Sequence, residues 1–371
     1  MANESVVPQG TTTTCGNTSH FANTVPDAAT GSDPTPSVIS QVDTGGNAII
    51  RGSFEARQLS QDVGAFLLQS WRPGTHLQYR KPLEKWMCFC LSKEAGPFSP
   101  SLDVFLSFLL KQFRGNNEGV PLGYSAMNTL RSAVSSVADI AGKPAGQHPL
   151  VKRFMRAVFQ NRPDLPRYNY TWDPDVVLNY IKLLGPNRTL TVSQLVRKST
   201  VLLLLLSGRH GQVLHVLDIR NMFLTSSRVS FQIVDLLKTS RPGHHFSQLI
   251  FKAYAPDRCL CVITTLHAYL QRTSDIRGDI ANLLVTTRKP FKAASLDTIR
   301  RWTRDMMRNA GIDLQVFAPH STRAAATSKA LCYLPLHTII KSVGWSNSSV
   351  FATYYKKPFC SSNIQDGVLT L

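Results

Sequence analysis

The 371-residue sequence predicts a mainly α-helical protein carrying one small β-hairpin or sheet, an α+β fold in two domains. Three observations lead there. Apolar residues recur at the i, i+3, i+4 spacing of amphipathic helices in several segments between 79 and 206. One pair of segments, 228–236 and 248–254, alternates apolar and polar residues around an Arg241-Pro242-Gly243 turn, as a hairpin does. The roughly 310 residues after a polar opening exceed one typical domain.

Met1 to Thr44 is rich in Thr, Ser, Asn, Gly and Pro and lacks the apolar core of a signal peptide, so residues 1–57 are expected to form a disordered tail. The first domain, 58–162, reads as helical. Tyr79, Leu83, Trp86, Met87 and Cys90 line one helix, and Leu102, Phe105, Leu106, Leu109 and Leu110 line a second after the Pro97–Pro100 break. Tyr124 to Ile140 predicts a third helix, and Pro149 to Phe159, with Lys152, Arg153 and Arg156, a fourth. The polar stretch containing Pro163 and Pro166 marks a linker, placed at 163–171. In the second domain, 172–358, Asp173-Pro174 caps a helix through Leu184, and Thr191 to Leu206 is apolar enough to be buried. Residues 359–371 read as a C-terminal tail.

Lys and Arg total 41 against 23 Asp and Glu, a net charge of +18, and the pI is about 9.8. That balance favours a polyanionic partner, of which nucleic acid is the commonest. Seven cysteines form no Cys-x-x-Cys pair, which fits an intracellular reducing compartment, and Cys88/Cys90 and Cys259/Cys261 alternate as buried residues would. The longest apolar run, Val201 to Leu206, falls far short of the roughly 20 residues that span a bilayer, so no membrane partner is expected. His244 and His245 are adjacent in a strand and point to opposite faces, which argues against a shared metal.

The chemistry concentrates between Pro319 and Tyr355. His320 and Arg323 stand three apart on one helical face, Trp345 follows Gly344, and Tyr354 and Tyr355 close the stretch. A phosphodiester under attack gains negative charge, which a guanidinium fork stabilises. A histidine can share the phosphate or take a proton, and an indole offers an N–H donor and an apolar wall. A phenol becomes a usable nucleophile where positive charge stabilises its anion. Lys238, beside the hairpin tip, is placed to reach a phosphate or a leaving oxygen.

These motifs resemble the catalytic half of the tyrosine recombinases, the phage-integrase family. Leu-Lys-Thr-Ser-Arg-Pro-Gly-His-His (237–245) and Pro-His-Ser-Thr-Arg-Ala-Ala (319–325) are similar, more narrowly, to recombinases of DIRS-type retrotransposons. The resemblance covers roughly 60–358. It implies a helical SAM-like core-binding domain that clamps DNA opposite a tyrosine-recombinase catalytic domain. It also implies attack of Tyr355, or of Tyr354 on the bacterial spacing, on a DNA phosphodiester, forming a 3′-phosphotyrosyl bond for mobile-element integration. Arg323 and Arg209 are then the transition-state cations, His320 and Trp345 position the phosphate, and Lys238 is the general acid. No cofactor or metal is needed, and the partners are double-stranded DNA and further copies of the chain in a tetramer. The compartment is intracellular, nuclear in a eukaryote.

One departure stands out. In strict register with the family pattern, His210 of Ser207-Gly208-Arg209-His210 takes the first arginine's place, and Arg209 lies one residue early, about 100° around a helix. Either the local backbone lets Arg209 serve, or a permanent charge has been lost, and the acidic residue often found three positions on is Gln212 or Val213. Arg80, Lys81, Lys85, Arg131, Lys152 and Arg153, with Arg241 and His244 at the hairpin, are the candidate DNA contacts, weighed against a plain solvated face. The other readings are an inactive DNA-binding descendant, a type IB topoisomerase-like enzyme and a helical scaffold unrelated to DNA.

Overall fold

In the computed structural model, residues 45–115, 121–164, 168–345 and 348–359 are described, and the chain divides into two compact units between Asp164 and Leu165. The N-terminal unit holds α1 (Gly45–Glu55), α2 (Gln61–Leu68), α3 (Pro73–Ser92), α4 (Leu102–Arg114), α5 (Tyr124–Ser135), the short strands β1 (Asp139–Ile140) and β2 (Lys143–Pro144), and α6 (Pro149–Asn161). Its core is the set of apolar stripes seen in the sequence. Leu83, Trp86, Phe105, Phe108, Leu109 and Met127 are fully buried, and the Trp86 indole N–H donates to the Pro97 carbonyl at 2.9 Å, so this ring carries no unpaired polar atom.

Two expectations are corrected here. The disordered tail assigned to 1–57 does not reach that far, because α1 occupies Gly45–Glu55 and buries Ile50. Gly46 lets α1 approach α3, where a Cβ would lie 3.2 Å from the Arg80 Cα. The polar composition of the preceding stretch masked this helix; residues 1–44 lie outside the described residues. The third helix ends at Ser135 rather than Ile140. Ala141 and Gly142 both adopt positive φ, and that turn pairs β1 with β2.

The C-terminal unit runs α7 (Pro174–Leu183), α8 (Val192–Ser207), α9 (Gly211–His215), β3 (Met222–Leu224), β4 (Arg228–Gln232), β5 (Gln248–Lys252), α10 (Val262–Arg277), α11 (Leu296–Asn309), α12 (Ser321–Leu331), α13 (Leu336–Val343) and α14 (Ser348–Tyr354). Asp173 accepts from the Asp175 N–H to cap α7. Thr191 and Gln194 form a capping box that starts α8. Apart from Arg197, Leu195 through Leu205 are buried, and α8 packs against α10, α11 and α12 as the central helix. No described helix is long and apolar enough to cross a membrane.

The hairpin expected from 228–236 and 248–254 is shorter, at 228–232 and 248–252, and gains β3 as a third strand in the antiparallel order β3-β4-β5. The alternation past Gln232 continues as an irregular loop in which Val234 and Leu236 are exposed. At the loop's tip, Arg241 and His244 exchange backbone hydrogen bonds of 2.9 Å around Pro242 and Gly243, the latter at φ 71. The cysteine alternation fails as well: Cys88 lies on α3, where residues two apart face different sides, and it is exposed while Cys90 is buried. The five described cysteines, at 88, 90, 259, 261 and 332, are free thiols. The tail assigned to 359–371 lies outside the described residues from 360 onward.

Candidate active site

The site forms where the C-terminal end of α8 meets α12, α13 and α14. Gly208 ends α8 in the left-handed region at φ 60. A Cβ there would meet Val343 Cγ2 at 3.0 Å and Thr327 Cγ2 at 3.1 Å, so the position demands glycine both for its backbone and for the close approach. The chain then leaves the helix: Arg209 lies outside regular structure and His210 is the extended N-cap of α9. The 100° argument that separated Arg209 from His210 assumed a helix, and there is none at these residues.

Arg209 turns inward and is 4 % exposed. Its Nη2 donates to the Ser342 carbonyl at 2.6 Å, one of the last-turn carbonyls of α13 that lacks an intrahelical partner. Its Cζ lies 3.2 Å from the centroid of Phe246. Gly344, the left-handed cap of α13 at φ 72, leaves room for the side chain; a Cβ at 344 would stand 2.5 Å from Arg209 Nη1.

Arg323, on the first turn of α12, is 3 % exposed. Its Cζ lies 4.6 Å from the Trp345 ring centroid and 5.1 Å from that of Tyr355. Trp345 is held by Phe351 at 5.3 Å and Tyr355 at 4.8 Å between ring centroids. Neither arginine joins an ion pair among the described residues, and Nε of each is buried without a hydrogen-bond partner. Burial, then the charge of Arg323, pushes Arg209 down to about 9. Burial likewise pushes Arg323 down to about 10, with the Tyr355 hydroxyl acting in the opposite sense. Two uncompensated cations close together in a desolvated pocket fit an anion.

The remaining candidates surround His210. This residue is exposed, and partial desolvation of its ring, followed by the charges of Arg323, Lys238, His320 and Arg209, pushes it down to about 4. His320 is exposed just before α12. Lys238 is exposed in the loop after β4, several residues before the hairpin tip rather than at it, and its backbone N–H donates to Gln212 Oε1 at 3.2 Å. Arg209, His210, Lys238, His320, Arg323, Trp345 and Tyr355 thus lie in one region. Tyr354, beside Tyr355 at the end of α14, is 65 % exposed.

Of the proposed DNA contacts, Arg80, Lys81, Lys85, Arg131, Lys152 and Arg153 belong to the N-terminal unit, and Arg241 and His244 to the hairpin loop of the C-terminal unit. Arg80 pairs with Glu84 at 2.9 Å, Lys85 reaches Gln112 at 3.5 Å, and Lys81, Lys152 and Arg153 are exposed on α3 and α6. Arg131 is half-buried, its Cγ only 3.2 Å from where a Cβ on Gly146 would sit. Arg241 is exposed at the hairpin tip and His244 half-buried beside it. His245 is occupied structurally, its ring nitrogens lying 2.8 Å from Ser240 Oγ and 2.8 Å from the Ile233 carbonyl.

Sequence reasoning missed Phe246, the Ser342 carbonyl and Gln212's hold on the Lys238 loop. The unusual Gly344-Trp345 pair was the one available signal, since a glycine closing a helix before a tryptophan marks a close approach.

No family model matches the sequence, and no curated protein matches it. Solved structures do. The chain is similar to XerH site-specific recombinase bound to palindromic difH substrate in a post-cleavage complex, with TM-score 0.56 and 9 % identity over 88 % of this chain and 94 % of that one. It is similar to the pre-cleavage XerH–difH complex, with TM-score 0.52 and 10 % identity over 88 % and 94 %. The Tn1549 transposon integrase in complex with transposon right end DNA matches at TM-score 0.48 and 12 % identity over 87 % and 97 %; the first two carry the conclusion. With its α-rich units and small antiparallel sheets, the chain has the fold of the tyrosine recombinases.

Proposed function

We propose that this chain is a DNA strand transferase working through a phosphotyrosine. The observation that carries the reading is the convergence of two buried guanidiniums with no carboxylate partner among the described residues, Arg209 and Arg323, on a site that also holds the Tyr355 ring. The Tyr355 phenolic oxygen attacks a DNA phosphorus, the bond to the 5′-oxygen breaks, and the 3′-phosphate becomes linked to the tyrosine. Arg323 and Arg209 stabilise the charge gathering on the non-bridging oxygens. His320 shares the phosphate and takes the phenolic proton, Trp345 walls the pocket, and Lys238 gives a proton to the departing 5′-hydroxyl. Reversal with a different 5′-hydroxyl rejoins strands and requires no metal or nucleotide.

Double-stranded DNA is the substrate, in keeping with the net charge of +18 and with the DNA in the XerH complexes. Strand exchange between two duplexes calls for four copies of the chain, and the motif similarity to DIRS-type recombinases favours mobile-element integration. In this reading the N-terminal unit is the core-binding domain. A second reading, a DNA-binding descendant without catalysis, is favoured by one observation: Nη2 of Arg209 is already engaged with Ser342. A nicked duplex that traps the cleaved state separates the two. The strand transferase yields a denaturant-stable protein–DNA adduct, whereas retention of DNA by the native protein with no adduct supports the descendant.

A further inference from the structure

The segment that opens the C-terminal unit is fastened at four successive points to the part of the fold that carries Arg323 and Tyr355. The Tyr168 carbonyl accepts from Lys357 Nζ, which also lies 4.7 Å over the Tyr168 ring. The Thr171 N–H donates to the Pro358 carbonyl at 2.7 Å. The Trp172 indole donates to Ser321 Oγ at 2.8 Å. Asp173 accepts from Lys329 Nζ at 3.0 Å, and Asp175 pairs with the same ammonium.

Ser328 completes the arrangement from inside α12. Its Oγ donates to the Tyr355 carbonyl at 2.8 Å and accepts from the Lys357 N–H at 3.1 Å. Ser328 is 6 % exposed, and both bonds are partly buried. One hydroxyl therefore fixes the backbone on either side of Lys356, directly after the tyrosine. Ser328 stands five residues beyond Arg323 on the same helix, so α12 sets the position of the cation and of the tyrosine backbone together.

We propose that these contacts form a latch: Ser328 pins the Tyr355–Lys357 backbone, and the entering segment Tyr168–Asp173 docks on that pinned backbone, so displacement of the interdomain connection displaces the nucleophile. The proposal rests on the phosphotyrosine reading for its consequence, whereas the coupling itself is a property of the fold. Ser328 and Lys357 are positioning residues that touch no reacting atom. Thr171 and Trp172 are buried, at 0 % and 5 % exposure, in the docked segment.

The test is hydrogen exchange on the full chain, without DNA, in Ser328→Ala and in Lys357→Ala. The latch requires both variants to raise exchange in two peptides at once, one containing Thr171 and one covering 348–359, by about tenfold for the loss of one or two buried hydrogen bonds. The peptides of α10 and α11 stay unchanged, which shows that the variants are folded. Faster exchange in 348–359 alone, with Thr171 still protected, overturns the proposal. So does exchange in neither peptide.

Adduct formation on nicked DNA is then read in the same variants. The latch predicts a slower cleavage step at unchanged DNA affinity, restored in Ser328→Thr, which keeps the hydroxyl. Coupled exchange in a chain whose parent forms no adduct leaves the latch standing and removes the phosphotyrosine reading. An adduct formed at the parental rate by Ser328→Ala and Lys357→Ala removes the latch and leaves that reading intact.

Discussion

Arg323 stacks on Tyr355, its guanidinium carbon 5.1 Å from the ring centroid. In the proposed reaction that guanidinium stabilises the charge gathering on the phosphate oxygens. Arg323→Ala is expected to slow adduct formation by about 10²- to 10³-fold, the usual loss for one transition-state donor. Arg323→Lys recovers little of it, because an ammonium cannot reproduce the planar stack on Trp345 and Tyr355. Single-turnover kinetics on nicked DNA measures both; parental rates in Arg323→Ala would remove Arg323 from the chemistry.

An anion should stabilise the folded state. Arg209 and Arg323 are each buried with a pKa below the ordinary arginine value, at about 9 and about 10. The unfolded chain therefore binds more protons than the folded one between those values and the ordinary arginine range, and the burial penalty is fully present at neutral pH. Sulfate or phosphate bound between the guanidiniums offsets part of that penalty. The melting temperature is expected to rise with sulfate at constant ionic strength, and Arg323→Gln should remove most of the rise.

Gly344→Ala should damage both fold and site. Residue 344 lies at φ 72, and the added methyl would stand 2.5 Å from Arg209 Nη1. The backbone strain alone costs about 1–2 kcal/mol, and Arg209 must also give up the Ser342 carbonyl or shift from Phe246. Chemical denaturation checks the stability loss. Anion stabilisation checks the site, since a displaced Arg209 should weaken it more than the fold change alone explains.

Acid should erode stability through His210. Its folded pKa of about 4 lies below the ordinary value of 6.5. The stability it contributes is complete above pH 6.5 and is lost as pH falls through 4, because only the unfolded chain takes up the proton readily in that window. His210→Asn should flatten the fall in stability between pH 6.5 and 4 while leaving the alkaline limb unchanged. An identical profile would show that His210 is not crowded by its cationic neighbours.

Lys198 offers a stability test remote from the chemistry. It is fully buried in α8, its ammonium lacks a hydrogen-bond partner, and burial lowers its pKa. Lys198→Met keeps the volume and removes the desolvation cost, with an expected gain of about 1–2 kcal/mol at neutral pH. A loss of stability instead would mean that the ammonium holds contacts the apolar replacement cannot supply.

How far the sequence carried this architecture follows from the reach of each signal. Helices with a clean apolar stripe, such as α3, α4 and α8, were legible because their spacing is local, and the starts of α7 and α8 because their caps, Asp173 and Thr191, are written beside them. The helix α1 was not, because its polar surroundings outweighed two isoleucines, and β3 was not, because a three-residue strand has no period of its own. At the site, His320, Arg323, Trp345 and Tyr355 were readable as a linear pattern. The role of Gly208 was not: only the left-handed turn, with Val343 and Thr327 packed behind it, shows that residues 209 and 210 leave the helix and that Arg209 turns inward. Phe246 and Ser328 act through contacts to residues far away in the chain, which no local spacing encodes.

The most direct test of the central claim is to trap the protein on nicked duplex DNA, denature and digest both, and locate the nucleotide-bearing residue by mass spectrometry in the parent, Tyr354→Phe and Tyr355→Phe. The half-buried position of Tyr355, with the Arg323 guanidinium over its ring, and the exposure of Tyr354 predict an adduct on Tyr355 that persists in Tyr354→Phe and vanishes in Tyr355→Phe. An adduct on Tyr354, or the absence of any adduct while the protein holds the duplex, would contradict it.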